Sequence, residues 1–498
     1  MDAIDQLRKD LAEGRVSAER LLDIIAMQQR QLNAALQRIA ELEKMAGAAA
    51  TKVAEPFSVR AEEKRLQARG KKRRRRPKKA RRGRLSNGAK VQRAERTEQC
   101  FPAGVPASAC RLSHTRPVWR LENGRACLVA YEIYRGPHNQ YGQIAGVLGR
   151  SEFGLEIVVE IAYLVYVLGL SFDKVCLTLQ FLQQLRLGKA QADALLRQLA
   201  RHWQHEFEGL CALLANALVV HADETSWSLN SVWAFLSEKA RVLFFGVHKD
   251  APTLAAILDP QTFAGLLISD DAAVYAGFRQ MQKCWAHLLR KAIKLSLQAP
   301  AQAAYRQLTD GLLEIYRRAC RVQRDGRLSA AGRRRQVAAL EDAVVVLCAP
   351  HWDVDAPPSA GLDNDHRLLI NEVMRLLLAE QLFTFVTAAP ATQPNGASQP
   401  VAGTNNEAER TLRGAATARK TGRCNKTLVG ARRQTILVSV LESLRLYLAE
   451  FTLASVIAEI RRWWQVGQSC FTALLDRLQL SCPAESVLEK VIPVAPDG

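Results

Sequence analysis

Between Ala217 and Asp270 the chain abandons helical periodicity and runs in short apolar bursts bounded by polar or turn-forming residues. Ala217-Leu-Val-Val-His-Ala-Asp223 has the length and β-branched content of a buried strand. Ser231-Val-Trp-Ala-Phe-Leu236 and Arg241-Val-Leu-Phe-Phe-Gly-Val247 pair as a hairpin, residues 251–258 suit a helix, and Gly265-Leu-Leu-Ile-Ser-Asp270 is a further strand. The order is strand, strand, strand, helix, strand, the opening of an α/β domain. It cannot be built as a helical bundle.

Two of these strands end in a carboxylate, Asp223 and Asp270, and ligands of α/β sheets gather at the carboxyl ends of strands. Hard divalent cations such as Mg2+ or Mn2+ take carboxylate oxygens, so two or three convergent acids can hold one or two ions. Such ions activate an attacking oxygen and stabilise the leaving oxygen of a phosphodiester. A third acid is expected from a helix, and Thr404-Asn-Asn-Glu-Ala-Glu-Arg-Thr-Leu-Arg413 offers Glu407 and Glu409. The spacing from Thr404 to Glu407 predicts a capping box that occupies Glu407, leaving Glu409 free. Glu224 and Asp271 adjoin the two aspartates, but side chains alternate along a strand, so one of each pair faces a shared centre, and the first is preferred. Each strand-end aspartate can equally be a turn former or a cap. The strand and helix order is that of an RNase H-like α/β domain, with a helical insertion before the closing helix.

Charge narrows the partner. The 498 residues carry 69 Lys and Arg against 49 Asp and Glu, a formal charge of +20, which favours a polyanion, nucleic acid first. Residues 69–84 hold 12 basic side chains in 16 positions, among them Arg73, Arg74, Arg75, Arg76, Lys78, Lys79, Arg81 and Arg82. A block this dense repels itself and suits phosphate-backbone contact, or serves as a solvated linker. Arg410, Arg413, Arg419 and Lys420 recur at approximate helical spacing beyond Glu409, suited to phosphate near a cut site or to a solvated basic face.

The remainder divides by pattern. Residues 1–48 place Ile25, Leu32 and Ile39, and Leu21, Gln28, Ala35 and Leu42, seven apart, as in a short self-associating coiled coil or a packed amphipathic helix. Residues 49–98 read as a basic disordered linker and 99–150 as a small irregular domain. In the latter Cys100, Cys110, His114 and Cys127 lack the close ligand pairs of a zinc knuckle, and no zinc is assigned. Residues 151–212 read as three helices, the second capped by Ser171, either a DNA reader or a scaffold. Residues 213–450 form the catalytic domain with its insertion at about 288–390, and 451–498 are C-terminal helices, so the regions flanking the α/β domain are mainly α-helical. Cys284-Trp-Ala-His287 is half a zinc site, better explained by packing of Trp285 and hydrogen bonding of His287. The 11 cysteines are scattered and odd in number, no secretory leader opens the chain, and its most apolar stretch, 157–172, is broken by Glu160, so an intracellular protein without membrane contact is expected.

Taken in order, His221-Ala-Asp-Glu-Thr-Ser-Trp227, Ile268-Ser-Asp270 with Tyr275, Cys284-Trp-Ala-His287, and Asn405-Asn-Glu-Ala-Glu-Arg410 continuing to Arg419-Lys420 resemble the bacterial transposases of the insertion sequence 66 family. The resemblance covers roughly residues 150–450. It implies catalytic aspartates at Asp223 and Asp270 and the glutamate at Glu409. It also implies Mg2+ or Mn2+ as cofactor, cleavage at terminal inverted repeats and strand transfer into target DNA. Double-stranded DNA, further copies of the chain and accessory proteins of the same element are the implied partners, in a bacterial cytoplasm at the nucleoid. Ser226 stands where the family usually has Pro, and Asp271 where it usually has Tyr or Gly. A non-catalytic DNA-binding relative and a structure-specific nuclease of the same fold are the alternative functions.

Overall fold

The computed structural model describes residues 26–27, 29–38, 41, 85–352 and 361–493. The chain forms two units, Met1–Arg84 and Leu85–Gly498. In the first, residues 29–38 are helical, with Leu32 and Leu36 exposed. The remaining heptad positions Leu21, Ile25, Gln28, Ile39 and Leu42 lie outside the described residues, as does the basic tract with Arg73, Arg74, Arg75, Arg76, Lys78, Lys79, Arg81 and Arg82.

The second unit starts earlier than the sequence suggested. Residues 85–98, assigned to the linker, contain helix α1 (Asn87–Val91) and most of strand β1 (Arg96–Cys100). Ser86 caps α1 by accepting the Ala89 N–H, and Arg96 forms ion pairs with Glu98 and Glu122, so local charge here is matched rather than self-repelling. Nor is the segment 99–150 irregular. Long strands β2 (Arg111–Glu122) and β3 (Arg125–Arg135) pair antiparallel, and β1 adds parallel to β3. Cys127 is buried in this small sheet's core, while Cys110 donates to the Pro106 carbonyl.

Three helices follow, as read from sequence: α2 (Leu155–Ala162), α3 (Phe172–Gln183) and α4 (Lys189–Ala215). Ser171 caps α3 through the Lys174 N–H. Helix α4 runs a further twelve residues past Trp203, and its apolar side, including Leu199, Trp203, Phe207 and Leu210, is buried in the main core. It is a scaffold for the sheet.

That sheet has five strands: β4 (Val219–Ser226), β5 (Ser231–Ser237), β6 (Arg241–Val247), β7 (Leu266–Ser269) and β8 (Met281–Lys283), with helix α5 (Ala251–Ile257) between β6 and β7. The strand, strand, strand, helix, strand order of residues 217–270 is therefore observed. Spatially the order is β6-β5-β4-β7-β8, antiparallel on the first side of β4 and parallel on the other. The insertion supplies α6 (Trp285–Gln298), α7 (Ala303–Arg324), α8 (Ala330–Cys348), α9 (Gly361–Leu378) and α10 (Thr384–Thr387) around a separate core. The chain returns as α11 (Asn406–Lys420), α12 (Leu428–Leu444), α13 (Leu453–Val466), α14 (Cys470–Arg477) and α15 (Val487–Val491).

The period-2 alternation of the strands sends each set of residues to a different layer. Val220, Ala222, Trp233, Phe235, Val242 and Phe244 face the main core with α4. Val219, Leu266 and Ile268 face the insertion, and Val232, Ala234, Leu243 and Phe245 meet Leu412 and Ala415 of α11. One face thus rests on α4, and the other carries α6 and α11.

Strand β6 is an edge, and its outward backbone groups need partners. Helix α12 supplies them with three fully buried hydroxyls, Thr435, Ser439 and Ser443. They accept the N–H groups of Phe245, Leu243 and Arg241 at 3.0, 2.9 and 2.9 Å. Ser439 and Ser443 also donate back to the Leu243 and Arg241 carbonyls. The match is geometric: four helical residues rise about 6.0 Å and two strand residues about 6.7 Å, so hydroxyls spaced i, i+4, i+8 keep step with alternate strand residues.

Candidate active site at the sheet edge

Strands β4 and β7 run parallel, with Val219 beside Leu266, Val220 beside Leu267 and His221 beside Ile268. Continued by two residues, that register sets Asp223 beside Asp270. Asp223 shares the alternation of Val219 and His221, and Asp270 that of Leu266 and Ile268, so both aspartates belong to the face that carries α6 and α11. Glu224 takes the opposite face, where Tyr275 Oη donates to it and Lys249 Nζ pairs with it at 2.5 Å. Asp271 is held by Arg375, an insertion residue.

Helix α11 delivers Glu409, but not by the cap expected from sequence. No Thr404–Glu407 capping box forms: the N-cap is Asn405, without a side-chain cap bond, and Glu407 pairs with Arg241 Nη2 at 2.7 Å. A partner charge on the sheet outcompetes a local backbone bond for the Glu407 carboxylate. Glu407 is thus occupied by a different partner, whereas Glu409, expected to be free, is itself paired with Arg290. Asn405, fully buried, fixes the helix start. Its Nδ2 donates to the Ala222 carbonyl at 2.7 Å, one residue before Asp223, and its backbone N–H meets Cys284 Sγ at 3.1 Å. Gly403 lets the approach close, since a Cβ there would lie 2.9 Å from the Phe385 ring.

The electrostatics record the gathering of acids. Asp223 is pushed up from 3.8 to about 7, first by burial, then by the charges of Glu224, Asp270 and Glu409, against the Glu224 backbone N–H that it accepts. Ionising it costs free energy that a cation would return. The three carboxylates are nonetheless not drawn as tight as a ligand triplet; the described residues with ligand atoms all within 4.8 Å of one another are Cys284, His287 and Glu409. Glu409 is held instead by Arg290 at 2.6 and 2.9 Å. Lys283 Nζ donates to the Asp270 carbonyl at 2.8 Å, and burial brings it down to about 8. All-oxygen donors, with the Asp223 carboxyl raised by burial and its acidic neighbours, fit a hard divalent cation, with Arg290 standing where positive charge is wanted.

Of the basic residues expected around this site, Arg410, Arg413 and Lys420 are exposed on α11, whereas Arg419 is turned inward onto the Ser226 carbonyl at 2.7 Å. Sequence reasoning missed Arg290, Lys283 and Asn405. Arg290 was within reach of it, one helical turn past His287 on the same face of α6. Lys283 and Asn405 act through tertiary contacts without a local signature.

The family model described as Transposase IS66 family matches residues 150–433, which span β4, β7 and α11 together with the insertion. The chain belongs to this transposase family. No curated protein matches it. Within this family member, no helix among the described residues is long and apolar enough to cross a membrane.

Asn405 is expected to matter through position alone. Asn405→Asp keeps the size but replaces the donor to Ala222 with a carboxylate, and should lower stability by about 1–3 kcal/mol. Chemical unfolding checks this, and an unchanged midpoint would show that Asn405 does not anchor the helix.

Proposed function

We propose that this transposase cleaves DNA at the ends of its element and joins those ends to target DNA, using an RNase H-like domain in which Asp223, Asp270 and Glu409 hold Mg2+ or Mn2+. The observation that carries the reading is the Asp223 carboxyl, raised first by burial and then by the charges of Glu224, Asp270 and Glu409, beside a parallel strand pair that brings Asp270 alongside. The strand order β6-β5-β4-β7-β8, closed by α11 after a helical insertion, supports the fold assignment. When bound, such ions supply activation of the attacking oxygen and charge stabilisation at the leaving oxygen.

The chain's own residues do the positioning. Asn405 and the Arg241–Glu407 pair seat α11, so that Glu409 is presented from a helix fixed to the first strand. Lys283 fixes the backbone that bears Asp270. Arg290 neutralises Glu409 in the absence of other charge, and Arg410, Arg413 and Lys420 offer phosphate contacts on the same helix. The partners of this reading are double-stranded DNA and further copies of the chain.

The test is a labelled fragment carrying the element's terminal repeats, incubated with full-length protein and Mg2+. Nicking at the repeat boundary and transfer of pre-cut ends are expected. Binding without cleavage would identify a non-catalytic relative, and cleavage without transfer a nuclease. Deleting residues 69–84 should weaken affinity and shallow its salt dependence, because fewer phosphates are then neutralised and fewer counterions released. An unchanged slope of affinity against salt would show the tract to be idle.

A further inference from the structure

Beside the three acids lies a ligand set of different chemistry. One ligand atom each from Cys284, His287 and Glu409 falls within 4.8 Å of the other two. Cys284, 2% exposed, precedes the 14-residue helix α6, and the Asn405 backbone N–H donates to its sulfur at 3.1 Å. A donor so placed beside a helix N-terminus favours a thiolate.

One turn further on, His287 Nδ1 is buried without a hydrogen-bond partner and stands 3.8 Å from Glu409 Oε1. A bare ring nitrogen between a sulfur and a carboxylate loses its hydration for no return unless something fills the gap. A cavity of about 710 Å³ lined by Cys284, His287 and Asp270 gives access from solvent and room for a water. Sulfur, imidazole and carboxylate together select a borderline-soft ion rather than Mg2+, and three protein ligands with one open position is a stable zinc geometry.

We propose that Cys284, His287 and Glu409 bind a thiophilic divalent cation of the zinc class, and that its binding withdraws Glu409 from the Asp223–Asp270 set and restrains cleavage. Binding sends the Cys284 proton to solvent and exchanges Arg290 for the ion at Glu409. The half-exposed Arg290 is rehydrated at little cost. The restraint rests on the proposed function, whereas the binding itself does not.

Co2+ is the probe, added to the full-length protein in Mg2+ buffer. One equivalent should produce a sulfur-to-cobalt charge-transfer absorption that Cys284→Ser removes and Asp223→Asn leaves in place. His287→Ala should weaken Co2+ binding about tenfold or more, about 1.4 kcal/mol. No band, or a band that survives Cys284→Ser, overturns the site. If Cys284→Ser does not fold by circular dichroism, His287→Ala decides, and an unaltered Co2+ affinity overturns it. Equimolar Zn2+ should slow Mg2+-dependent cleavage; unchanged rates with the band present overturn the restraint. A protein that shows the band yet never cleaves DNA sinks the transposase activity and leaves the metal site standing.

Discussion

Asp223→Asn is expected to lower Mg2+-dependent DNA cleavage by on the order of 10³-fold or more, about 4 kcal/mol in the barrier, while DNA binding stays close to that of the parent protein. The substitution removes one charge from the acid set without changing its volume, and the asparagine Oδ1 can still accept the Glu224 N–H that Asp223 accepts at 3.0 Å. The same variant carries a stability signature. In the folded chain Asp223 stays protonated up to about 7, whereas the unfolded chain gives up that proton near 3.8. Between those values the folded state holds more protons than the unfolded state. Its stability therefore falls as pH rises through this window, and the loss is complete above about 7. Without divalent ions at pH 8, Asp223→Asn should be the more stable protein, by at most about 4 kcal/mol at 1.36 kcal/mol per tenfold. Below about pH 4 the difference should vanish. Urea unfolding across pH reads both limbs. Cleavage that persists in the variant would remove Asp223 from the proposed metal set, and a flat stability difference would deny that burial and neighbouring acids raise its carboxyl.

The combined replacement Thr435→Val, Ser439→Ala and Ser443→Ala is expected to cost most of the protein's stability. Each hydroxyl removed strands a buried β6 N–H, at about 1–3 kcal/mol apiece, against a typical total of about 5–15 kcal/mol. Ser439→Ala alone should cost about 1–3 kcal/mol, because Ser439 both accepts from the Leu243 N–H and donates to its carbonyl. The uncovered β6 would also present a free strand edge, so the triple variant should aggregate as it unfolds. Thr435→Ser keeps a hydroxyl and should behave nearly as the parent. A triple variant within about 1 kcal/mol of the parent by urea unfolding would mean that the edge is satisfied by other groups.

How much of this was legible differs element by element. The strands leading into Asp223 and Asp270 were readable because a buried strand is apolar on both faces, although β4 runs on past Asp223 to Ser226. The three helices from Leu155 to Ala215 were readable by periodicity, and Ser171 as a cap by local chemistry. Two segments were misread, residues 85–98 as linker and 99–150 as irregular, although β3 holds a buried apolar run, Ala126–Tyr131. Strands β1 and β2 carry exposed Arg, Glu and Ser side chains, with burial confined to part of their length, so they lack the apolar runs that identified β4 and β7. The pairing of β1 with β3 is non-local, and no window of sequence contains it.

Within the site the division is similar. The sequence alone determined which acids stand at strand ends and which glutamates share the closing helix, since those follow from periodicity and spacing along the chain. It also determined that neighbours such as Glu224 and Asp223 must part, because alternation along a strand is a property of the backbone. Only the tertiary structure decided that Glu407 answers Arg241 rather than its own cap, that Asn405 hangs α11 from Ala222, and that Arg290 rather than a second carboxylate lies against Glu409. Those contacts join residues more than a hundred positions apart, and their energies depend on burial and distance, which the linear order of residues does not contain.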